Sequence, residues 1–449
     1  MPEWVTYAVW WQVFPLGFTG AEKTAVTGRG VASGDFAPPR HRLPRIVNWL
    51  DYAIDLGSNG LLLGPVFDSQ THGYDTIDHL RVDPRLGTEA DLVELIDAAH
   101  DRGIKVLLDG VFNHVGRAHP AFRELTELGP EAPRAEWFRL SWPSDWAPGR
   151  EPDYIDFEGH RDLVALNHDH AEVAEYVARV MTYWLDRGAD GWRLDAAYAI
   201  DPAFWSRVVP VVRAAHPHAY LVGETIHGGY ADLVRASGLD SLTQYELWKA
   251  VWSSLNDANF FELDWALSRH NALLDTFVPM TFVGNHDVTR IASRIKDRRH
   301  LAHALVLLFT TAGTPCVYYG DEQGLRGVKE ERFGGDDAIR PEFPERPRPL
   351  DPAGADRLRL HRELIGLRRR HPWLHSARST TRHLTNTAYA YQIGGPDGGH
   401  EGSLVVALNL AGTPVRMKEM AHGALLLGAA SGQPGVIELP PHGWAIFSR

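Results

Sequence analysis

Three carboxylic acids, Asp195, Glu224 and Asp287, each close a short apolar run, in GWRLDAA, VGET and FVGNHD. In the first run an arginine stands two positions before the aspartate. If GWRLD is a strand, Arg193 and Asp195 point to one face while Trp192 and Leu194 point to the other. Burying a charge without a partner is costly, so such a pair either closes an internal ion pair or lines a site. Like charges crowded into one pocket raise at least one pKa and keep a carboxyl protonated near neutrality, as a general acid must be. Arg193 acts in the opposite sense and is expected to keep Asp195 ionised. A neutral acid beside an ionised nucleophile is the equipment for glycoside hydrolysis with retention.

Further polar residues sit in the same kind of place. DGVFNH supplies Asp109, Asn113 and His114, FVGNHD adds His286, and a loop after the second apolar run carries His72, Gly73, Tyr74 and Asp75. His114 and His286 can donate hydrogen bonds to sugar hydroxyls, and Tyr74 offers a ring for stacking. Any one of these is compatible with a purely structural role, but five run ends loaded together point to one pocket. A metal-dependent hydrolase using His114, His286 and the aspartates is the rival reading, and a chelator separates the two.

The elements that must position these groups follow from the apolar runs. YAVWWQVF, NGLLLGPVF, IKVLLDGVF, ADGWRLDAA, AYLVGET, SLTQYE, VPMTFVGN and TPCVYYG are short and apolar on both faces, with helical patterns such as EADLVELIDAAHDRG and HAEVAEYVARVMTYWLDRG between most of them. This predicts an α/β fold, a closed (β/α)8 TIM barrel with catalytic groups at the carboxyl ends of its strands. The barrel is assigned to 1–114 and 170–375. Residues 115–169, rich in Pro, Trp and charge, are too long for a simple connection and read as an inserted subdomain after strand three, and 321–352 form a second long loop. From 376 to 449 short strands between Gly and Pro turns predict a C-terminal antiparallel β-sandwich domain.

Composition narrows the partners. A formal net charge of -12 over 449 residues argues against nucleic acid. No segment supplies the roughly 18 uninterrupted apolar residues of a membrane helix, and MPEWVTYAVWWQVFP does not read as a signal peptide, so no membrane association and a cytoplasmic setting are expected. The single cysteine, Cys316, reads as a small buried hydrophobe. Among the 15 tryptophans, Trp10, Trp11, Trp137, Trp142, Trp146 and Trp192 fall near loops or strand ends, where they serve either as core aromatics or as platforms for sugar rings.

In order and spacing, DGVFNH, GWRLDAA, GET and FVGNHD resemble the α-amylase family of glycoside hydrolases (family 13). The similarity runs almost the length of the chain, through WWQVFP, HGYDTIDHLRVDPRLGT and GTPCVYYGDE. The resemblance implies that Asp195 is the nucleophile, Glu224 the general acid and base, and Asp287 the group that grips sugar hydroxyls. It implies that His114, His286 and Arg193 help bind substrate, that Tyr74 is the stacking platform, and that Asp109 is a structural aspartate. It implies no organic cofactor. Many members bind calcium through an asparagine at the place of Asn113, but the other ligands are not assigned here, and no metal site is predicted. Where many members carry Lys-His after the nucleophile, this chain has Ala196, Ala197, Tyr198 and Ala199. The wording is nearest the cyclomaltodextrinase and neopullulanase group, whose usual N-terminal β domain is not found before the first strand here. The expected activity is hydrolysis of α-glucosidic, mainly α-1,4, bonds in short or cyclic malto-oligosaccharides, including cyclic maltosyl-maltose. The alternative is a transglycosylase or isomerase, such as a trehalose-forming enzyme. A homodimer is compatible with the sequence.

Overall fold

The computed structural model describes residues 1–23, 39–332, 334–394, 402–420, 422–433 and 435–449. Eight parallel strands form its centre: β1 (Trp10–Val13), β2 (Gly60–Leu63), β3 (Lys105–Gly110), β4 (Gly191–Leu194), β5 (Tyr220–Gly223), β6 (Ser241–Leu242), β7 (Met280–Phe282) and β8 (Thr314–Tyr318). They are hydrogen-bonded in the order β6-β5-β4-β3-β2-β1-β8-β7, and a parallel bridge from Thr243 to Met280 joins the two ends, closing the (β/α)8 barrel.

Both faces of each strand are covered, which is why the runs are apolar throughout. Alternate residues separate cleanly. Trp11, Val13, Leu61, Leu63, Val106, Leu108, Trp192, Leu194 and Leu221 pack outward under the helices. Trp10, Leu62, Leu107, Tyr220, Val222, Met280, Phe282 and Cys316 fill the barrel interior, so Cys316 is the buried hydrophobe expected. The Trp10 ring stacks 6.2 Å from Tyr220, and only a glycine at 60 leaves room for it, since a Cβ there would lie 2.3 Å from the indole. The interior row continues beyond the apolar layer into Gln12, Asp109, Arg193, Asp195 and Glu224. Polar residues thus begin where the barrel core ends.

Helix starts follow the local sequence. Thr88 and Asp91 form a capping box at the helix Glu89–His100, and Asp201 and Asp351 cap the helices Pro202–Ala215 and Pro352–Arg370, each with proline at the first turn. A cap of this kind contributes about 1 kcal/mol. After β3 the chain leaves the barrel. The strand His114–Gly116 pairs antiparallel with His160–Ala165, which pairs in turn with Asp156–Phe157, placing this excursion beside the carboxyl ends of β3 and β4.

The C-terminal part contains β9 (Arg378–Leu384), β10 (Ala388–Gly394), β11 (Ser403–Asn409), β12 (Val415–Met420), β13 (Leu425–Gly428), β14 (Gly435–Leu439) and β15 (Trp444–Ser448). Five make an antiparallel sheet in the order β9-β10-β11-β15-β13, and β12 pairs with β14. Alternation again sorts the side chains. Tyr389, Tyr391, Leu404, Val406, Leu408 and Ile446 join the core under the barrel helices, while Ala388, Ala390, Val405, Ala407, Ala445 and Phe447 pack against Met417, Ile437 and Leu439 of the two-stranded pair. Trp10, Trp11 and Trp192 are fully buried and Trp137 nearly so, which makes them core aromatics and not platforms. Trp142 and Trp146 meet edge to face within the excursion after β3. Among the described residues no helix is long and apolar enough to cross a membrane.

Candidate active site

Arg193 is the hub of the polar layer. Its register places it between Asp109 on β3 and Val222 on β5, with Asp195 one turn of the pleat further on. Its Nη1 donates to Asp109 Oδ1 at 2.7 Å and to Asp195 Oδ1 at 2.8 Å, and its Nη2 pairs with Glu224 Oε1 at 2.6 Å. One guanidinium therefore gathers three buried carboxyls from adjacent strands, as a planar fork is suited to do. The opening alternation of GWRLD is reproduced: Arg193 and Asp195 share a face.

The second acid is braced from two directions. The Ala196 amide donates to Glu224 Oε2 at 3.0 Å, and the Tyr245 hydroxyl donates to Oε1 at 3.2 Å. Ala196, directly after Asp195, has φ 45° and ψ 36°, a left-handed conformation that non-glycine residues adopt at a cost. That turn aims its N–H at the neighbouring acid. Asn285 Nδ2 donates to the Tyr245 oxygen at 2.7 Å, and Asn285 Oδ1 accepts from the Asp287 amide at 2.9 Å, linking Glu224 to the loop that carries the third acid.

Asp287 stands at the rim, its side chain 31 % exposed. His286 Nε2 lies 2.9 Å from one of its oxygens and Arg340 Nη2 3.0 Å from the other. His286 has its tautomer set by Gln12, whose amide lies 3.0 Å from Nδ1, and its ring lies nearly parallel to those of Phe14 and Tyr74. The Tyr74 hydroxyl donates to Asp109 Oδ2 at 3.0 Å and also contacts His286 Nε2. His114 and Asn113 lie one layer behind. Asn113 Nδ2 donates to His114 Nδ1 at 3.1 Å, His114 Nε2 donates to the Tyr74 carbonyl at 3.0 Å, and the His114 ring stacks on Phe157. His114 Nδ1 is thus engaged by Asn113 and Nε2 by Tyr74, so both ring nitrogens have partners within the protein. Asp109 is likewise an internal anchor, fully buried between Arg193 and Tyr74.

Burial dominates the electrostatics of the inner group. It pushes Asp195 up to about 7 and Asp109 up to about 6 despite the pull of Arg193 on both. Glu224 is raised by the same burial, again with Arg193 opposing. Arg193 favours the ionised form of Asp195, as expected, but does not cancel the rise that burial causes. The guanidinium is divided among three carboxyls, and one positive charge does not offset the desolvation of three negative ones. This group retains a proton near neutrality. Asp287 behaves differently: burial raises it, but His286, Arg340 and Arg193 together hold it well below the usual carboxylate range. Burial drives His114 down to about 3, so it is neutral.

Arg340, Tyr245, Asn285, Gln12 and Phe14 were not singled out as site residues by sequence reasoning. Gln12 and Phe14 lie in WWQVFP, and their position at the end of β1 was the available signal. Arg340 comes from the long loop after β8, where spacing carries no information about which arginine turns inward.

Fold and site together define a (β/α)8-barrel protein whose acids converge at the carboxyl ends of its strands. The chain belongs to the α-amylase family: the family model described as "Alpha amylase, catalytic domain" matches residues 12–391. A maltogenic alpha-amylase of Bacillus acidopullulyticus is 33% identical over 343 residues, and a cyclomaltodextrinase of a Bacillus species is 34% identical over 342. Each match covers 73% of this chain but only 58% and 61% of those relatives' lengths. The ligand-free structure of a cyclic α-maltosyl-(1→6)-maltose hydrolase from Arthrobacter globiformis superimposes with a TM-score of 0.81 at 25% identity, covering 100% of both chains.

Proposed function

We propose that the protein is a retaining glycoside hydrolase that cleaves α-glucosidic bonds in short or cyclic malto-oligosaccharides. The observation that carries this reading is the attachment of Asp195 and Glu224 to the two ends of one guanidinium. Carboxyls held that close leave no space for a water between nucleophile and sugar, which is the requirement of a double-displacement mechanism. The relatives support the substrate class. One named for cyclomaltodextrin is 34% identical to this chain over 342 residues, and one named for cyclic maltosyl-maltose superimposes along its whole length.

In the proposed reaction the cluster's proton resides on Glu224 and Asp195 is ionised against Arg193. An Asp195 carboxylate oxygen attacks the anomeric carbon as the glycosidic C–O bond breaks, and Glu224 delivers its proton to the departing oxygen. A glycosyl ester on Asp195 results. Glu224, now a carboxylate, takes a proton from water whose oxygen attacks the same carbon, and the ester bond breaks to return Asp195. Asp287, ionised and gripped by His286 and Arg340, accepts hydrogen bonds from sugar hydroxyls beside the reacting carbon. The Tyr74 ring, stacked on His286, supplies the floor under the sugar. No step runs through a metal.

A panel of cyclic, linear and branched gluco-oligosaccharides, with products followed by chromatography and the new anomer by NMR, tests the proposal. The expected result is turnover of short or cyclic α-glucans that releases the α-anomer and is indifferent to chelator. Release of the β-anomer, or no turnover of any α-glucoside, overturns it. Products longer than the substrate would identify a sugar, not water, as the acceptor.

A further inference from the structure

Far from the acid cluster, the helix Leu301–Thr310 starts against the turn that precedes β15. There Asp297, His300 and His442 each bring one ligand atom to within 4.8 Å of the others. Asp297 and His300 belong to the segment after β7, and His442 belongs to the C-terminal sheet. Nε2 of His300 lies 3.0 Å from Nδ1 of His442. His300 is buried and hydrogen-bonds the Leu255 backbone through its ring. A neutral imidazole that donates one nitrogen to a carbonyl presents the other as a lone pair, the arrangement of a metal-ligating histidine and its supporting carbonyl. The ring nitrogen of His300 that faces His442 is Nε2.

Two further observations bear on the same spot. His442 has φ 55°, in the left-handed region, and this turn sets the direction of its imidazole. Behind it His303 is fully buried, its ring 5.3 Å from that of His300, with Nδ1 lacking a hydrogen-bond partner among the described residues. The Asp297 carboxylate is engaged by the amide and the guanidinium of Arg299, whose side chain is 62% exposed. Two imidazoles and one carboxylate form a nitrogen-rich, borderline-soft set, suited to zinc-class divalent ions and poorly suited to calcium or magnesium.

We propose that Asp297, His300 and His442 form a zinc-class divalent metal site that fastens the barrel to the C-terminal sheet, with water completing the coordination. It is distinct from the acid cluster and independent of the proposed activity. The competing account is a plain hydrogen bond from His442 to His300. The experiment uses the full chain, free of any affinity tag and stripped with chelator, titrated with Co2+ and Zn2+. Co2+ is read by visible absorption, Zn2+ by calorimetry and by Tm. We expect one equivalent to bind at micromolar Kd or tighter, with a Tm rise that saturates at that equivalent because the ion favours the folded state. We expect His442→Gly, which also relieves the positive φ, to fold normally and lose both responses, and Ca2+ to produce neither. Absence of stoichiometric binding by the native chain, or unchanged binding by H442G, would overturn the proposal.

Discussion

Each inner acid carries both a chemical role and an electrostatic cost. Asp195→Asn and Glu224→Gln remove, in the proposed mechanism, the nucleophile and the proton donor while keeping shape and most hydrogen bonds. Turnover is expected to fall by about three orders of magnitude or more, with circular dichroism unchanged. Near-normal kcat in either variant would show that the roles are misassigned. The cost appears as pH dependence. The Asp195 carboxyl titrates at about 7 in the folded protein against an ordinary value of 3.8, so the folded state holds its proton more tightly than the unfolded chain. The stability this group contributes is fully present below about pH 4 and is lost as pH rises through about 7. Asp109 acts with the same sign, up to about pH 6. Asp195→Asn abolishes one of these terms, so Tm measured from pH 5 to 8 should decline less steeply in D195N than in the native chain, and D195N should be the more stable at pH 8. A parallel decline in both proteins would count against the raised pKa. These acids were readable from the sequence because each closes a strand run, where alternation dictates the direction of the side chain. Their protonation was not, because it depends on how three strands divide one guanidinium.

At the scale of elements, two features place the acids and neither left a trace in the sequence. The turn after β4 bends through Ala196 in the left-handed region, and the bend is what points its N–H at Glu224. Ala196→Gly should be tolerated and raise stability by up to about 1 kcal/mol. Ala196→Val, whose branched Cβ is far worse there, should lower Tm and cut kcat more than it changes KM, since it shifts Glu224 relative to Asp195. Equal kinetics in the two variants would detach this turn from the site. The loop after β8 contributes Arg340, which pairs with Asp287 and Asp336, donates to the His286 carbonyl, and lies over the Phe14 ring at 4.4 Å. Arg340→Ala should loosen Asp287 and raise its pKa. Activity is expected to fall roughly 10- to 100-fold with an acid limb displaced toward neutrality, as a pH profile of kcat/KM would show. An unshifted profile would mean that His286 alone sets Asp287. Strands and capped helices were legible because period, Thr88, Asp201 and Asp351 signal them locally. The left-handed Ala196 and the inward turn of Arg340 arise from tertiary contacts, which no window of residues contains.

For the whole molecule, the question is whether barrel and C-terminal sheet stand or fall together. One face of the sheet, with Tyr389, Tyr391, Leu404, Val406 and Ile446, belongs to the same continuous core as the barrel helices. Polar contacts reinforce the seam: Tyr391 and Thr310 share a hydrogen bond at 2.6 Å, His303 Nε2 lies 3.2 Å from the Asn409 and Gly443 carbonyls, and Asn271 Nδ2 donates to the Ser379 carbonyl at 2.8 Å. The helix Leu301–Thr310 is buried along nearly its whole length, so it needs cover on two sides. A seam of this kind predicts a single calorimetric transition for native protein, with calorimetric and van't Hoff enthalpies in agreement. Deletion of 377–449 would strip one side of that helix and expose a large apolar face, so the shortened chain should aggregate or collect in the insoluble fraction although every acid of the site is present. A soluble, active truncation, or two separated transitions in the full chain, would establish the sheet as an independent unit. In that event the acid cluster would owe nothing to the C-terminal sheet.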